Sequence, residues 1–223
     1  MLTNLFSIFD PATTMNTAMN WAAMATSLLL LPTLFWKTKG RLLIPFNSLM
    51  SYLFSEFKPL LNKSPSALLI MLGLFVFIML NNVFGLMPYI FTCTSHMSIS
   101  MMMALPMWLG MMAHGWTFNT SNLLIHLVPK GTPMALMPFM VIIETISNII
   151  RPLTLAIRLA ANMIAGHLLI TLLTSVTPFT PLSALPVLMS AQLSLNLLET
   201  AVAFIQAYVF SVLITLYASE SIS

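Results

Sequence analysis

The stretch "ETISNIIRPLTLAIRLAANMIAGH", residues 144–167, places a glutamate, two arginines and a histidine inside an otherwise apolar run. This run belongs to an apolar stretch over 134–175, and a second apolar stretch covers 182–218. Each stretch amounts to roughly 60 Å of helix, about twice the thickness of the hydrocarbon core of a bilayer. We therefore expect two long, strongly tilted helices that form a hairpin about the turn "TPFTPL".

The composition of the whole chain points to a membrane protein. Of its 223 residues, 59% are hydrophobic and 6% are charged, and the mean hydropathy is +0.96. Ordinary soluble domains do not have this composition. We predict an all-α polytopic membrane protein that binds the lipid bilayer and no nucleic acid. The single Cys93 fits no metal-site spacing, so the sequence predicts neither a metal nor a cofactor.

Apolar runs along the chain predict a single membrane domain over residues 1–223. An N-terminal span, an interfacial amphipathic helix, two further spans and the two hairpin helices are expected, in that order, at 17–36, 42–62, 67–91, 97–116, 134–175 and 182–218. The second of these segments mixes Leu, Phe and Tyr with charged residues, which favours a helix lying in the membrane interface.

Basic residues in the short loops predict the orientation of the chain. Five of them lie between the first two spans and one follows the third: Lys37, Lys39, Arg41, Lys58, Lys63 and Lys130. Five crossings place all six on the side from which the chain inserts. We therefore expect the N-terminus outside and the C-terminus inside.

Polar residues recur every seven positions on both hairpin helices, and seven steps of about 100° nearly complete two turns. One face of the first helix therefore carries Glu144, Arg151 and Arg158. Asn162 lies on the same face, because it follows Glu144 by eighteen positions and eighteen steps of about 100° return to the start. One face of the second helix carries Gln192, Glu199 and Gln206. The spacing places His167 on roughly the opposite side of the first helix. We expect both polar stripes to face something other than lipid.

An ionised group at the bilayer centre costs at least ~3 kcal/mol, so it usually faces water or a partner. A structural alternative stays open for Arg151, which can form an intrahelical ion pair with Glu144, and for Asn148 and Gln192, which can bond neighbouring helices. Arg158 has no acid one helical turn away, and its guanidinium does not lose its proton. We therefore predict that Arg158 faces an anion supplied by a partner chain.

The segments "RLAANMIAGH" and "LNLLETAVAFIQAYVF" resemble the signature of subunit a of the F-type ATP synthase, in the form encoded by animal mitochondrial DNA. The resemblance extends from the first span to the C-terminus. It implies a proton-conducting stator in the mitochondrial inner membrane, with two offset half-channels that couple proton flow to rotation of a ring of c subunits. It also implies contacts with other membrane-sector and peripheral-stalk subunits. The N-terminus is then in the intermembrane space and the C-terminus in the matrix.

The resemblance implies roles for particular residues of this chain. Arg158 corresponds to the essential cation that faces the carboxylate of the c subunit. Asn162 and Gln206 match residues that line the same contact zone. Arg151 receives no role from the resemblance. Such a subunit holds no nucleotide motif and makes no covalent bond itself.

The two half-channels also receive residues from the resemblance. His167 and Glu199 resemble the pair that lines the half-channel open to the intermembrane space. Glu144 matches the acid of the half-channel open to the matrix. Asn81 and Asn82, in the second predicted span, are expected either to line the inner half-channel or to bond neighbouring helices.

An alternative function comes from a different class of protein. In a self-contained ion-coupled secondary transporter, Glu144, Glu199 and the arginines would bind an ion or substrate. Such carriers often show internal repeats and broken helices at the midplane. The chain shows no convincing internal repeat, and the lone cation Arg158 favours a protein that works with a partner chain.

Overall fold

The computed structural model of the protein describes residues 5–13, 17–29, 31, 40–41, 43–61, 64–128 and 133–222. Every regular element in these ranges is helical, which confirms the predicted all-α class. The α-helices of the described ranges are α1 (Ala22–Leu29), α2 (Leu43–Phe57), α3 (Pro65–Gly85), α4 (Met97–Phe118), α5 (Thr120–His126), α6 (Met137–Val176) and α7 (Leu185–Ile222).

Three helical segments in the described part of the chain are long and apolar enough to cross a membrane: Pro65–Gly85, Met137–Phe179 and Leu185–Glu220. They correspond to α3, to α6 with the turn that follows it, and to most of α7. This result is consistent with the polytopic membrane protein that the composition predicts.

Two of the predicted crossings are not among these three segments. Helix α4 has 22 residues and contains Pro106 within the helix. Helix α1 covers part of the predicted first span, whose residues 30 and 32–36 lie outside the described residues. Both crossings remain predictions.

Proline and glycine set the ends of two helices earlier than the sequence predicts. Helix α2 ends at Phe57 and not at 62, because Pro59 follows and the backbone before a proline disfavours helix. Helix α3 ends at Gly85 and not at 91, because glycine weakens a helix and Pro88 cannot continue it.

The two longest helices occupy the region predicted for the hairpin. Helix α6 has 40 residues and α7 has 38. A 3-10 turn at Thr177–Phe179 follows α6. Pro152 lies inside α6, where it has no N–H to donate to the carbonyl of Asn148, yet the helix continues beyond it.

The chain divides into two compact units. The first unit comprises the described residues of Met1–Thr33, Phe75–Ser100 and Arg158–Val209. The second unit comprises the described residues of Leu34–Leu74, Met101–Ile157 and Phe210–Ser223. Helices α3, α4, α6 and α7 therefore contribute residues to both units.

Each unit has its own buried core. In the first unit, Ala160, Ala203 and Ala207 are buried, and small residues of this kind let helices approach closely. In the second unit, Phe57 and Phe210 are almost completely enclosed. Close helix contacts in the first unit bring the polar residues of α6 and α7 together.

Most of the basic residues that predict the orientation are not among the described residues. Lys37, Lys39, Lys63 and Lys130 lie outside the described residues. The orientation of the termini therefore stays a prediction.

Candidate functional site

The side chain of Arg158 is exposed on the part of α6 that belongs to the first unit. It forms no ion pair with any carboxylate of the described ranges. The guanidinium keeps its proton and has no acceptor capacity, so it acts as a fixed cation. Among the residues placed by the structure, nothing neutralises it, which agrees with the absence of a nearby acid in the sequence.

Asn162 and Gln206 connect α6 to α7 within the first unit. The Asn162 Nδ2 donates a hydrogen bond to the Gln206 Oε1 over 3.0 Å. Gln206 is 6% exposed, whereas Asn162 is largely exposed. The two residues that the resemblance assigns to one contact zone are therefore bonded to each other.

Glu199 lies on α7 against Gly166 of α6. A Cβ atom placed on Gly166 would be 2.5 Å from the Glu199 Oε1, so a side chain at this position would displace the carboxyl group from where it lies. Glu199 is 9% exposed, and neither of its carboxyl oxygens makes a hydrogen bond with any described residue. A buried carboxyl without partners is costly and is usually retained for a function.

A small cavity adjoins this carboxyl group. Its volume is about 20 Å³. Its polar lining residues are Asn82, Asn162, Glu199 and Gln206. Leu159, Met163 and Val202 close the apolar side of the same space. The cavity therefore joins the amide pair to the buried carboxyl group.

His167 and Glu199, predicted as a pair, both belong to the first unit but form no hydrogen bond with each other. The His167 Nε2 is buried and makes no hydrogen bond within the described ranges. Its ring meets the Phe9 ring edge to face, with the centroids 6.4 Å apart. Because Gly166 faces Glu199, the next residue on the helix points about 100° away from it.

Arg151 makes a different set of contacts in the second unit. One terminal nitrogen lies 3.2 Å from a Glu144 oxygen and the other lies 3.2 Å from a Glu220 oxygen. The guanidinium carbon also lies 4.9 Å from the centre of the Tyr217 ring. The structure therefore contains the intrahelical ion pair that the sequence left open for Arg151, and it adds a second carboxylate from α7.

A larger cavity of about 440 Å³ lies beside these charges in the second unit. Its polar wall includes Glu144, Asn148 and Arg151, and its apolar wall includes Trp108 and Trp116. Glu144, which the resemblance assigns to the inner half-channel, therefore borders a space wide enough for several water molecules.

Some residues of these sites escaped the sequence analysis. The seven-residue spacing identified Glu199 and Gln206, yet Gln192, at the same spacing, does not line the small cavity. Gly166 and Glu220 were not singled out, because their importance depends on which residue of the other helix stands opposite. A glycine directly before the predicted relay histidine was the available signal for Gly166.

Comparison with known proteins identifies the family. A model of the family described as ATP synthase A chain matches residues 17–219. The chain is 53% identical over 223 residues to the ATP synthase subunit a of Locusta migratoria. It is 51% identical over 222 residues to that of Drosophila mauritiana and 51% identical over 224 residues to that of Anopheles quadrimaculatus. Each alignment covers 99% of this chain and 99% of the relative. The chain therefore belongs to the ATP synthase A chain family.

Proposed function

We propose that this chain, as the proton-conducting stator subunit of the ATP synthase membrane sector, uses two offset half-channels to couple proton flow to rotation of a ring of c subunits. The insect relatives and the apolar helices support a multi-pass protein of the mitochondrial inner membrane. The basic loops favour an N-terminus in the intermembrane space and a C-terminus in the matrix.

The exposed cation Arg158 is the single observation that carries this proposal. An unneutralised guanidinium in a membrane segment needs an anion or water, and no carboxylate of the described ranges pairs with it. A carboxylate on a partner chain supplies such an anion. In a rotary motor, the carboxylates of the ring pass this position one after another.

The outer half-channel is the place where protons enter. A proton from the intermembrane space passes by way of His167 and Glu199 to a carboxylate of the ring. Histidine suits this task because its ordinary titration range is close to neutral pH. The neutral carboxyl can then rotate into lipid, which its charged form cannot do without a large cost. Rotation follows from this difference.

The inner half-channel is the place where protons leave. After nearly a full turn of the ring, Glu144 accepts the proton near the matrix side. The ion pair with Arg151 and the adjoining cavity support this role, because they fix the carboxylate beside a space that water can fill. The carboxylates of Glu144 and Glu220 both contact Arg151 and fix the position of its guanidinium.

Passage from one half-channel to the other requires a seal. The ring carboxylate, charged again, moves past Arg158, whose positive charge stabilises it in transit. The same charge repels a proton that would cross directly between the channels. The hydrogen bond between Asn162 and Gln206 keeps two neutral amides next to this passage.

The self-contained transporter receives no support from the comparisons. The three relatives named above are all called ATP synthase subunit a, and they match along the full length of the chain. A carrier would catalyse ion flux alone, whereas the stator must be isolated together with a ring of small subunits.

The test replaces Arg158 by alanine in the whole synthase, reconstituted into vesicles. ATP synthesis driven by an imposed pH gradient and passive proton leak are measured together. We expect Arg158→Ala to abolish synthesis while leak is retained or increased. Arg41→Ala is the matched control, because Arg41 is an exposed residue outside the predicted helices. Normal synthesis by Arg158→Ala would contradict the proposal.

A further inference from the structure

An aromatic residue near the start of the chain lies against the histidine of the proposed outer half-channel. A short 3-10 helix (Leu5–Phe9) ends at Phe9, and the Phe9 ring meets the His167 ring at 85°, with the centroids 6.4 Å apart. Edge-to-face pairs of aromatic rings favour separations of about 4.5–7 Å. Both residues belong to the first unit, although one precedes α1 and the other lies on α6. The contact is therefore tertiary, and no periodicity along the chain predicts it.

The two phenylalanines of this 3-10 helix differ in their surroundings. The side chain of Phe6 is 69% exposed, whereas Phe9 is half-buried. Both lie on the same side of the helix, because a 3-10 helix has three residues per turn. Next to Phe9, the carbonyl of Asp10 accepts a hydrogen bond from the Asn20 Nδ2 over 3.4 Å. This bond tethers the end of the helix that carries Phe9, and only that end contacts His167.

The contact with Phe9 bears on how His167 exchanges protons. A neutral imidazole has one nitrogen that donates and one that accepts, so a histidine that relays a proton needs a partner at both nitrogens. The His167 Nε2 is buried and bonds to no residue in the described ranges. With Phe9 against the ring, this nitrogen has neither a protein partner in those ranges nor contact with solvent. His167 therefore cannot relay a proton through Nε2 until part of its surroundings moves.

We propose that Phe9 is a lid on His167, and that outward movement of the N-terminal 3-10 helix uncovers Nε2 and lets water bring a proton to it. This inference rests on the proposed proton-conducting function and adds to it control of proton entry by the N-terminal segment. In the open arrangement one N–H bond forms at Nε2 as one O–H bond breaks, and His167 is positively charged until it releases its other ring proton. Phe9 exchanges no proton, so it is a positioning residue.

A role in packing alone predicts a different outcome for substitutions of Phe9. If Phe9 only fills space, Phe9→Ala lowers stability by leaving a cavity, and access of reagents to His167 stays the same in those complexes that assemble. If Phe9 is a lid, Phe9→Ala exposes Nε2, whereas Phe9→Trp keeps it covered. Access to residue 167 therefore separates the two roles.

The experiment measures how fast diethyl pyrocarbonate modifies His167 in the intact, assembled synthase. The reagent acylates a neutral imidazole and reaches Nε2 more readily than Nδ1, which the Cβ atom flanks. Mass spectrometry gives the extent of modification at His167, which is divided by that at His114, an exposed histidine of α4 in the same chain. A minor open state commonly has a population of about 0.1–10%, so removal of the lid in Phe9→Ala is expected to raise this ratio about tenfold or more.

Phe6→Ala is the matched control, because it removes an exposed phenylalanine from the same 3-10 helix. We expect Phe6→Ala and Phe9→Trp to leave the modification ratio at its wild-type value. An unchanged ratio in Phe9→Ala, or an equal rise in Phe6→Ala, would overturn the inference. If Phe9→Ala does not assemble, Phe9→Val takes its place with the same readings.

Gradient-driven ATP synthesis, expressed per assembled complex, supplies a second reading. The larger ring in Phe9→Trp covers Nε2 more fully, so this variant is expected to synthesise ATP more slowly than Phe9→Ala. The reverse order would contradict a lid. Modification of His167 does not depend on synthesis, so the two proposals fail separately. If Arg158→Ala abolishes synthesis while the modification ratio of Phe9→Ala is unchanged, only the lid is wrong; if Arg158→Ala retains synthesis while Phe9→Ala exposes His167, the proposed function is wrong.

Discussion

Gly166 and Glu199 fit each other so closely that no side chain can be added at residue 166 without moving the carboxyl group. A Cβ there would lie 2.5 Å from Oε1, 2.7 Å from Cδ and 3.1 Å from Cγ of Glu199. Contacts below about 3 Å between such atoms are repulsive. Because the atoms concerned are at the far end of a side chain, the carboxyl group has to move before the backbone does.

Gly166→Ala is therefore expected to impair proton transfer more than assembly. The displaced Glu199 carboxyl loses its place in the cavity, and a misplacement of about 1 Å can reduce a rate about a hundredfold. The rate of gradient-driven synthesis and the yield of assembled synthase are measured together. Gly73→Ala is the control, because a Cβ at Gly73 meets no atom within 4 Å. Equal activity of the two variants would contradict this prediction.

Asn162 and Gln206 share a hydrogen bond, and we expect substitutions of the two residues to lower the stability by unequal amounts. Asn162→Ala removes the donor and deprives the buried Gln206 of it, which is expected to lower the free energy of unfolding by about 1–3 kcal/mol. Gln206→Leu removes the buried amide and leaves the exposed Asn162 free to bond with water, so it is expected to cost less. Unfolding in mixed micelles measures both variants, and the double variant reports their coupling. A larger loss in Gln206→Leu would show that the buried amide is satisfied in another way.

The three charges at Glu144, Arg151 and Glu220 predict an order of stability among their variants. Glu220→Gln and Glu144→Gln each leave one charged partner on Arg151, so each is expected to cost about 1 kcal/mol or less. Arg151→Met leaves two carboxylates without their common cation and is expected to cost more than either. Thermal unfolding of the purified complex measures the order, and the differences should shrink at high salt because these side chains are partly exposed. If Arg151→Met proved the least destabilising of the three variants, that result would contradict the shared ion pair.

Cys93, in the turn between α3 and α4, is predicted to be unreactive. Burial raises the pKa of the Cys93 thiol above its ordinary value, so little reactive thiolate is present at neutral pH. Maleimide should label Cys93 much more slowly in the native complex than after denaturation. Labelling at equal rates in the two states would show that the thiol is accessible.

The raised pKa of Cys93 also predicts a pH dependence of stability. The native state holds the thiol proton more tightly than the unfolded state, so this contribution is complete below the ordinary thiol pKa and is lost as the pH rises through and above it. This contribution is measured as the difference in the free energy of unfolding between the wild type and Cys93→Ala. The difference is followed from neutral pH to above the ordinary thiol pKa. A difference that grows in favour of the wild type at higher pH would contradict the sign.

Sequence reasoning reached those features that depend on a single helix. The spacing of seven residues places Glu144 and Arg151 on one face. In the structure, a terminal nitrogen of Arg151 lies 3.2 Å from a carboxyl oxygen of Glu144. The absence of an acid near Arg158 was visible in the sequence for the same reason. Runs of apolar residues predicted the long helices because helix length and bilayer thickness are fixed quantities.

Features that depend on two helices could not be reached in this way. Arg151 and Glu220 are 69 residues apart in the chain, and no periodicity connects them. Whether Gly166 lies opposite Glu199 depends on how far α6 is shifted along α7. From the sequence, Asn82 fits either a polar contact between helices or a channel lining. The structure shows that the Nδ2 and Oδ1 of Asn82 are unbonded within the described residues, and that Asn82 lines a cavity together with Glu199.

The exposed Arg158 has a consequence for the life of the protein before it is assembled. A newly made chain carries, within a membrane segment, a cation that no carboxylate of the described ranges neutralises. The membrane tolerates such a group poorly until a partner anion arrives. A chain whose cation meets no partner anion is therefore expected to be less stable in the bilayer than a copy whose cation is paired.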